Sequence, residues 1–415
     1  MPSIAVAARS RALALALALA LPACGGFSPA PPSDAPFRER ATVQEDAGFR
    51  VSVAALSPME SRRTFDLDLA GEGVQPIWIR VENRSQEPAW FLPIGTDPAY
   101  FAPYEVAYMF HRLLATERNR RIDAHLLATA LPLEVPAGGT VEGFVHTHLA
   151  EGARWVSAFV VSAGRLHDFR FVAHVPGRAW DFERVDFATL YPAGAVRELD
   201  LPALLAEVER LPCCAAGESG RPDADPLNLV LVGTPDALVF PFVARGWNFT
   251  EPLDAGSAWR SVKAFLTGSA YRTSPVSPLH LFGRAQDAAL QKPRNDIDRR
   301  NHLRLWLAPF TFEGTPVWIG QVSRDIGVRF TTASWYLTTH KIDPDVDEDR
   351  DYLLQDLVLT GHVARVAHVP GVGAAPPYAP RHNLTGDPYF TDGKRLVVFL
   401  DAAPGPVDRI RIVGP

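Results

Sequence analysis

Alternating apolar and polar residues are frequent between residues 48 and 177 and predict β-strands there. Five segments alternate or are continuously apolar, and turn-forming residues separate them. The segments are residues 49–53, 77–81, 141–149, 155–161 and 167–175. Because successive side chains of a strand point to opposite faces, residues 48–177 are predicted to form a β-sandwich-like domain.

Two short patterns refine this prediction. Residues 81–88, VENRSQEP, resemble a strand and turn of immunoglobulin-like sandwiches, and PAGGT at 136–140 precedes a strand in the same manner. The resemblance concerns the fold and implies no function. One helix is predicted to interrupt the strands, because apolar side chains share a helical face. These side chains are Val106, Met109, Phe110, Leu113 and Leu114.

A connector at residues 178–225 separates the two predicted domains. Within it, residues 200–212 have a helical apolar stripe, and Asp200 stands where it can cap the helix. The stripe consists of Leu201, Leu204, Leu205, Val208 and Leu211. The stretch GESGRPDADP at 217–226 is rich in turn-forming residues and marks the boundary of the second domain.

Residues 226–415 combine strand-like and helix-like patterns. An apolar strand at 229–232 is followed by a turn at Gly233, a cap at Thr234 and the helix-starting Pro235. Further strands are predicted at 279–283, 302–308, 316–322 and 396–401, and helices at 256–266 and 344–359. The predicted fold class of the protein is therefore α+β, with a mostly antiparallel sheet in the second domain.

The N-terminus has the pattern of an export signal. Arg9 and Arg11 precede the apolar stretch 12–21, which is about half as long as a membrane span requires. LPAC at 21–24 resembles a bacterial lipobox, so residues 1–23 are predicted to be a signal peptide and Cys24 the lipidated first residue. An ordinary secretory signal with an incidental cysteine is the alternative. Residues 24–47 are predicted to be a lipid-anchored, proline-rich linker.

A lipidated Cys24 predicts where the protein resides and what it contacts. The chain would be anchored in a membrane of the cell envelope by its lipid and would face the periplasm. Gly25, rather than aspartate, follows the cysteine and permits sorting to the outer membrane. The formal net charge of −6 and the lack of a long basic run predict that nucleic acid is not a partner.

Cysteine and histidine usage gives little support for a cofactor. Cys213 and Cys214 could form a vicinal disulfide, but such a bond is strained, so two half-buried thiols are favoured. His146 and His148 share a strand face and could bind a metal with His167 or His174, although inert surface histidines are favoured. The sequence has no P-loop, dinucleotide fingerprint or Gly-x-Ser-x-Gly elbow. No cofactor and no metal are predicted.

The acidic run THKIDPDVDEDRD at 339–351 has two interpretations. A calcium loop that starts at Asp345 would need glycine at its sixth position, where this chain has Arg350. A helix start fits better, because Asp343 can cap it, Pro344 suits the first turn, and acidic side chains complement the helix dipole. The run is therefore predicted to be mainly structural.

Basic side chains near strand 302–308 form the candidate site. Alternation places His302, Arg304 and Trp306 on one face of this strand and leucines on the other. If neighbouring strands share its sheet, basic side chains could converge and bind a phosphate or carboxylate. The predicted set is Arg284, His302, Arg304, Arg324 and His340.

Two other roles for these residues stay open. The arginines could instead form structural ion pairs, Arg284 with Asp287 and Arg324 with Asp325 or Asp343. In a catalytic alternative, His302 or His340 would be the general acid or base, with Asp343 nearby.

Residues 228–400 resemble the LssY-like C-terminal domain. The motifs that carry the resemblance are NLVLVGTPD, RGWN, SPVSPLHLFGRAQD, NHLRLWLAPF, PVWIGQVSRDIGV, THKIDPDVDEDRD and YFTDGKR. The resemblance implies a widespread bacterial domain without an established activity of its own. Such domains often follow membrane segments similar to lipid-phosphate phosphatases, whereas here a predicted lipid anchor and a β-rich domain precede it.

Three hypotheses about function follow. The first is an envelope lipoprotein that binds an anionic small molecule or lipid headgroup through the basic face. The second is a periplasmic hydrolase that acts on a phosphoester. The third is a scaffold whose β-rich domain binds another envelope protein.

Overall fold

The computed structural model describes residues 27–31, 36–150, 154–176, 180–217, 220–251, 273–294, 299–330 and 338–414. For residues 328–330 and 338–340 it describes the backbone alone. The predicted lipidation site Cys24 and the predicted helix at 256–266 therefore lie outside the described residues.

Two four-stranded antiparallel sheets form the first domain. Its strands are β1 Thr42–Glu45, β2 Phe49–Ala55, β3 Val74–Asn83, β4 Ala89–Leu92, β5 Glu134–Val135, β6 Thr140–His148, β7 Arg154–Ser162 and β8 Arg165–Ala173. The strand orders are β1-β2-β3-β6 and β5-β4-β7-β8. Side chains from both sheets, such as Val51 and Ile79 from one and Phe91 and Val160 from the other, share one core. The prediction of a β-rich first domain is confirmed.

The helices of this domain differ from the single helix that the sequence predicts. They are α1 Pro58–Phe65, α2 Pro93–Thr96, α3 Pro103–Met109 and α4 Thr116–Thr129. The predicted stripe is wrong beyond Met109, because the chain leaves the helix at Phe110 and turns. Leu113 and Leu114 lie in this turn and are exposed, and Leu114 has a positive φ of 65°. Helix α4 was not predicted.

A large mixed sheet is the centre of the second domain. Its strands and the shorter ones around it are β9 Arg197–Leu199, β10 Leu229–Val232, β11 Asn248–Phe249, β12 His280–Leu281, β13 Arg284–Ala285, β14 Ala288–Pro293, β15 Arg300–Phe312, β16 Thr315–Phe330, β17 Thr338–Ile342, β18 Val363–Pro370, β19 Arg381–His382, β20 Pro388–Tyr389, β21 Lys394–Leu400 and β22 Arg411–Ile412. The main order is β11-β14-β15-β16-β10-β21-β18-β22, with β17 on β16 and β9 on β15.

Most of these strand pairs are antiparallel. The parallel pairs are β10 with β21, β15 with β9, and β18 with β22. Among the described residues of this domain, three helices accompany the sheet, namely α5 Leu201–Arg210, α6 Pro235–Ala244 and α7 Val346–Val358. The predicted α+β class, with a mostly antiparallel sheet, is confirmed.

The central sheet buries a different helix on each of its faces. On the α7 face, Leu303 and Val322 pack with Leu353 and Leu357 of α7. On the α5 face, Trp306 packs with Leu204 and Val208 of α5. The face of the sheet on which a polar side chain lies decides which other polar groups it can contact.

Helix α5 begins where the sequence places it and is fixed to the sheet at its end. The carboxylate of Asp200 accepts a hydrogen bond of 2.9 Å from the backbone N–H of Ala203. At the other end, the buried guanidinium of Arg395 donates to backbone carbonyl groups, and these are its only acceptors in the described part of the chain. The acceptors are Leu227, Val208, Glu209, Leu211, Pro212 and Gly371. Arg395 thus satisfies carbonyl groups that the end of the helix leaves unpaired.

Cys213 and Cys214, which follow α5, are joined by a disulfide. The favoured expectation of two thiols is therefore wrong. That expectation rested only on the adjacency of the two cysteines in the sequence, since a disulfide between neighbouring residues is strained. In the fold, Cys214 is buried in the loop after α5, where its backbone pairs with Pro226.

The acidic run forms the start of α7, as the helix interpretation predicted. Its cap is Asp345 rather than Asp343, because the Asp345 carboxylate accepts from the backbone N–H groups of Asp347 and Glu348 at 3.2 Å each. Arg350 is buried behind this turn and makes ion pairs with Asp347, Asp351 and Asp392. The arginine that is incompatible with a calcium loop therefore neutralises the acidic groups around it.

Candidate functional site

A buried histidine and aspartate form the centre of the candidate site. His302 of β15 and Asp325 of β16 lie on the α5 face, with 2.5 Å between His302 Nε2 and Asp325 Oδ2. His302 is aligned with Ser323 in the antiparallel register, so Asp325 is the next residue of β16 on the same face. Because an ionised carboxylate only accepts, Nε2 carries the hydrogen and Nδ1 presents a lone pair.

Two arginines flank the histidine on the same strand face. Arg300 Nη1 donates to Gln291 Oε1 at 2.8 Å, and Arg300 Nε lies 3.5 Å from Asp325 Oδ2. Arg304 donates to neutral oxygens instead. Its Nη1 lies 2.7 Å from Gln321 Oε1, and its Nε lies 3.1 Å from the carbonyl oxygen of Ser277. The α5 face of β14, β15 and β16 therefore has a compact set of buried cationic and amide groups, named the His302 cluster below.

Burial dominates the electrostatics of the His302 cluster. Loss of hydration lowers the pKa of His302 to about 4, although the charge of Asp325 acts in the opposite direction. Burial also lowers the pKa of Arg304, against the opposing charges of Asp225 and Asp325. Asp225 has a pKa above its usual value, again because it is buried. At neutral pH the cluster thus contains a neutral imidazole between two guanidinium groups.

Several buried polar atoms on this face have no hydrogen-bond partner among the described residues. They are His302 Nδ1, Gln321 Nε2 and Trp306 Nε1. Buried polar groups are normally hydrogen-bonded, and exceptions call for an explanation such as a bound ligand or water. Two of these atoms are N–H donors, and Arg304 adds a cation, so the set is suited to an anionic or oxygen-rich group.

The five residues of the predicted basic set do not converge. His302 and Arg304 lie together, as strand alternation predicts. Arg324 is aligned with Asn301 and therefore lies on the opposite, α7 face. Arg284 makes a bidentate pair with Asp287 at 2.8 Å and donates to the carbonyl oxygen of Leu307. Since Leu307 is five residues along β15 from His302, Arg284 contacts the strand roughly 16 Å away from the cluster.

His340 and Asp343 also lie apart from His302. The backbone of His340 in β17 pairs with Val328 at the far end of β16, and its side chain lies outside the described residues. Asp343 accepts from the backbone N–H of Asp345 and lies 4.0 Å from Arg324. The catalytic alternative that combines His302 with Asp343 is therefore wrong in its geometry, because Arg324 places Asp343 near the α7 face.

Arg324 belongs to a second buried network on the α7 face. Its Nη2 lies 3.5 Å from Asp349 Oδ1, which also accepts from Asn301 Nδ2 at 2.6 Å. The guanidinium group lies 5.3 Å from the ring of Tyr352. Burial raises the pKa of Asp349 to about 7, and the nearby charges of Asp343 and Asp325 add to the shift. This network joins helix α7 to the sheet.

The histidines of the first domain do not form a metal site. His146 is fully buried against Phe65, whereas His148 is partly exposed and pairs with Asp97. The expectation that His146 is a surface residue is therefore wrong. Among the residues that the structure describes, no three histidine, cysteine or acidic side chains are placed to hold a metal ion.

Sequence reasoning missed Arg300, Asp325, Gln291 and Gln321 as members of the cluster. Arg300 could have been found, because it continues the alternation of His302 and Arg304 along the strand. Asp325 and the two glutamines come from neighbouring strands, and their approach to His302 depends on the strand register. A single sequence gives no direct signal for that register.

Comparison with known families agrees with the resemblance noted in the sequence. Residues 206–394 match the family model described as LssY C-terminus. The second domain is LssY-like. The match includes the end of α5, the disulfide and all of the His302 cluster, so the cluster is part of the LssY-like domain. A search of curated proteins finds no match to this chain.

Proposed function

We propose that the protein is a lipid-anchored protein of the cell envelope whose LssY-like domain binds an anionic group at the His302 cluster. The single observation that carries the binding proposal is the environment of the Arg304 side chain. Its side chain is buried, and it has no carboxylate within ion-pair distance in the part of the chain that the structure describes. A bound phosphate or carboxylate would supply the negative charge that the two neutral acceptors of Arg304, the side chain of Gln321 and the carbonyl group of Ser277, lack.

Burial of a cation such as Arg304 costs free energy unless an opposite charge lies nearby. A guanidinium group that is removed from water loses hydration, and neutral acceptors restore only part of that loss. Asp225 and Asp325 influence Arg304 from beyond ion-pair distance. The unpartnered N–H groups of Gln321 and Trp306 could add hydrogen bonds to the same anion. The neutral state of His302 allows its Nδ1 to accept a proton or hydrogen bond from the bound group.

Titration calorimetry of the full chain with inorganic phosphate and glycerophosphate tests this proposal. We expect saturable binding that weakens at least tenfold in Arg304→Gln, because the substitution removes the cation but keeps hydrogen-bonding groups. Arg409→Gln is the matched control, since Arg409 is an exposed arginine of the same domain. Absence of saturable binding, or equal binding by Arg304→Gln, would overturn the proposal. Thermal unfolding of each variant shows whether it is folded.

The geometry of His302 supports one second candidate, a phosphoester hydrolase. Asp325 fixes the imidazole through Nε2, and Nδ1 has no partner among the described residues, as in a base that is held by a carboxylate. A panel of phosphoesters would be hydrolysed by the wild type, with at least 100-fold loss in His302→Gln. His362→Gln is the control, because His362 is also buried but hydrogen-bonds to the backbone carbonyl oxygen of Asp401. Turnover that is unchanged in His302→Gln would exclude this candidate.

The envelope location rests on the N-terminal sequence alone. Metabolic labelling with a fatty acid, followed by fractionation of inner and outer membranes, tests it. We expect label in the wild type and none in Cys24→Ala, with the wild type in the outer membrane. Label that persists in Cys24→Ala, or its absence from the wild type, would contradict acylation at this cysteine.

A further inference from the structure

The turn between α3 and α4 presents two adjacent leucines to solvent. Leu113 is 93% exposed and Leu114 is 94% exposed. Neither belongs to the core, which includes Ala107 of α3 and Ile122 of α4 and has Phe110 packed against it. Two fully exposed leucines at the end of a helical hairpin are unusual for a surface turn, whose central residues are normally polar or small.

The turn is held in one conformation by hydrogen bonds. The side chain of Asn119 accepts from the backbone N–H of Arg112 at 3.1 Å and donates to its carbonyl oxygen at 2.9 Å. Arg118 donates to the carbonyl oxygen of Phe110 at 2.9 Å, and His111 pairs with Asp123 at 2.7 Å. These hydrogen bonds order the turn that carries the two leucines. Because the turn is already ordered, less conformational entropy is lost when the leucines enter an apolar phase.

The surroundings of the leucines have the chemistry of a membrane interface. Tyr104 is 54% exposed and Tyr108 is 68% exposed on α3. Tyrosine is favoured where one end of a side chain is in lipid and the other is in water. Residues 103–129, the whole hairpin, contain four arginines and three acidic residues, so the hairpin has a small positive net charge that favours anionic phospholipids.

The predicted lipid anchor lies within reach of the same hairpin. Phe27 is three positions after Cys24 and is buried against α4, with its ring 5.7 Å from that of His125. Arg121 of α4 donates to the carbonyl oxygen of Phe27 at 2.5 Å. Three residues span at most about 10 Å, and Arg121 is roughly 8 Å along α4 from its start. A lipid on Cys24 would thus leave the protein close to the hairpin.

We propose that Leu113 and Leu114 insert into the phospholipid monolayer that holds the N-terminal lipid, with Tyr104, Tyr108 and the arginines at the headgroups. This contact would orient the first domain against the membrane, whereas a single acyl anchor alone leaves a protein free to rotate. The inference uses the proposed acylation only for the position of Cys24. It is independent of anion binding by the His302 cluster.

Photocrosslinking of the full chain in its native membrane tests the proposal. p-Benzoylphenylalanine is introduced at position 113, and as a matched control at position 359, where Leu359 of the LssY-like domain is 69% exposed. We expect phospholipid adducts at 113 in yields several-fold above those at 359. In the 113 background, Leu114→Ser should lower the lipid yield several-fold without a change in Tm, because Leu114 makes no core contact.

Each other outcome overturns the proposal. A protein adduct at 113 in place of lipid would assign the turn to a protein partner. The lack of any adduct at 113 would mean that the turn faces water. Fatty-acid labelling of the same samples separates this failure from failure of the anchor, since a labelled chain without a lipid adduct at 113 contradicts the insertion alone.

Discussion

Nε2 of His302 lies 2.5 Å from Oδ2 of Asp325, and each side chain is less than a tenth exposed. The pair connects β15 to β16 across the face that packs against α5. It also fixes the orientation of the imidazole ring, because the aspartate accepts from one specific nitrogen. Any role of His302 in binding or proton transfer depends on this contact.

Asp325→Asn should lower the pKa of His302 further below about 4, because the negative charge of Asp325 opposes the effect of burial. It should also reduce the free energy of unfolding by about 1–3 kcal/mol, since His302 and Arg300 lose a charged acceptor. NMR titration of the imidazole and urea unfolding measure the two effects. Asp408→Asn is the control at an exposed aspartate. A rise in the pKa of His302 in Asp325→Asn would contradict the view that the charge of Asp325 favours the protonated imidazole.

Arg395→Met should destabilise the protein by about 3 kcal/mol or more, because several backbone carbonyl groups lose their only cationic donor in a buried site. Burial lowers the pKa of Arg395 to about 10, so it stays charged at neutral pH. Gly371 leaves space for the guanidinium group, since a Cβ there would lie 2.0 Å from Arg395 Nη1. Urea unfolding measures the loss. Lys394→Met, at the exposed neighbouring position, should cause little change.

Asp349→Asn should stabilise the protein above pH 7. Burial raises the pKa of Asp349 from 3.8 to about 7, so the folded state holds an extra proton between these values. The stability that protonated Asp349 contributes is fully present below about pH 4 and is lost as the pH rises through about 7. The amide cannot ionise, and we expect a gain of about 1–3 kcal/mol at pH 8 and none at pH 4. Equal effects at both pH values in chemical unfolding would contradict this.

His146→Leu should make the protein less sensitive to acid. Burial lowers the pKa of His146 from 6.5 to about 4, so the unfolded chain binds the proton more readily. Stability from the neutral histidine is present above pH 6.5 and is lost as the pH falls toward about 4. In His146→Leu, up to about 3 kcal/mol of this acid-induced loss of stability should be absent. Neither ring nitrogen has a hydrogen-bond partner among the described residues, so the substitution removes no hydrogen bond seen there. His382→Leu, at an exposed histidine, is the matched control.

The sequence determined those features that depend on neighbours along the chain. Alternation placed His302 and Arg304 on one face of β15, and the acidic run with a following apolar stripe predicted α7. Asp200 and the leucines after it predicted α5. These features are local, because side-chain direction repeats every two residues in a strand and every 3.6 in a helix.

Strand register, turn geometry and burial were decided by the tertiary structure. The alignment of His302 with Ser323 brings Asp325 to the histidine and sends Arg324 to the opposite face, and a shift of one residue would exchange them. The turn after Met109 exposes Leu113 and Leu114, although helical periodicity placed them on one helical face with Val106. Periodicity specifies a direction for each side chain, but the partner it meets depends on the packing of strands and helices that are distant in sequence.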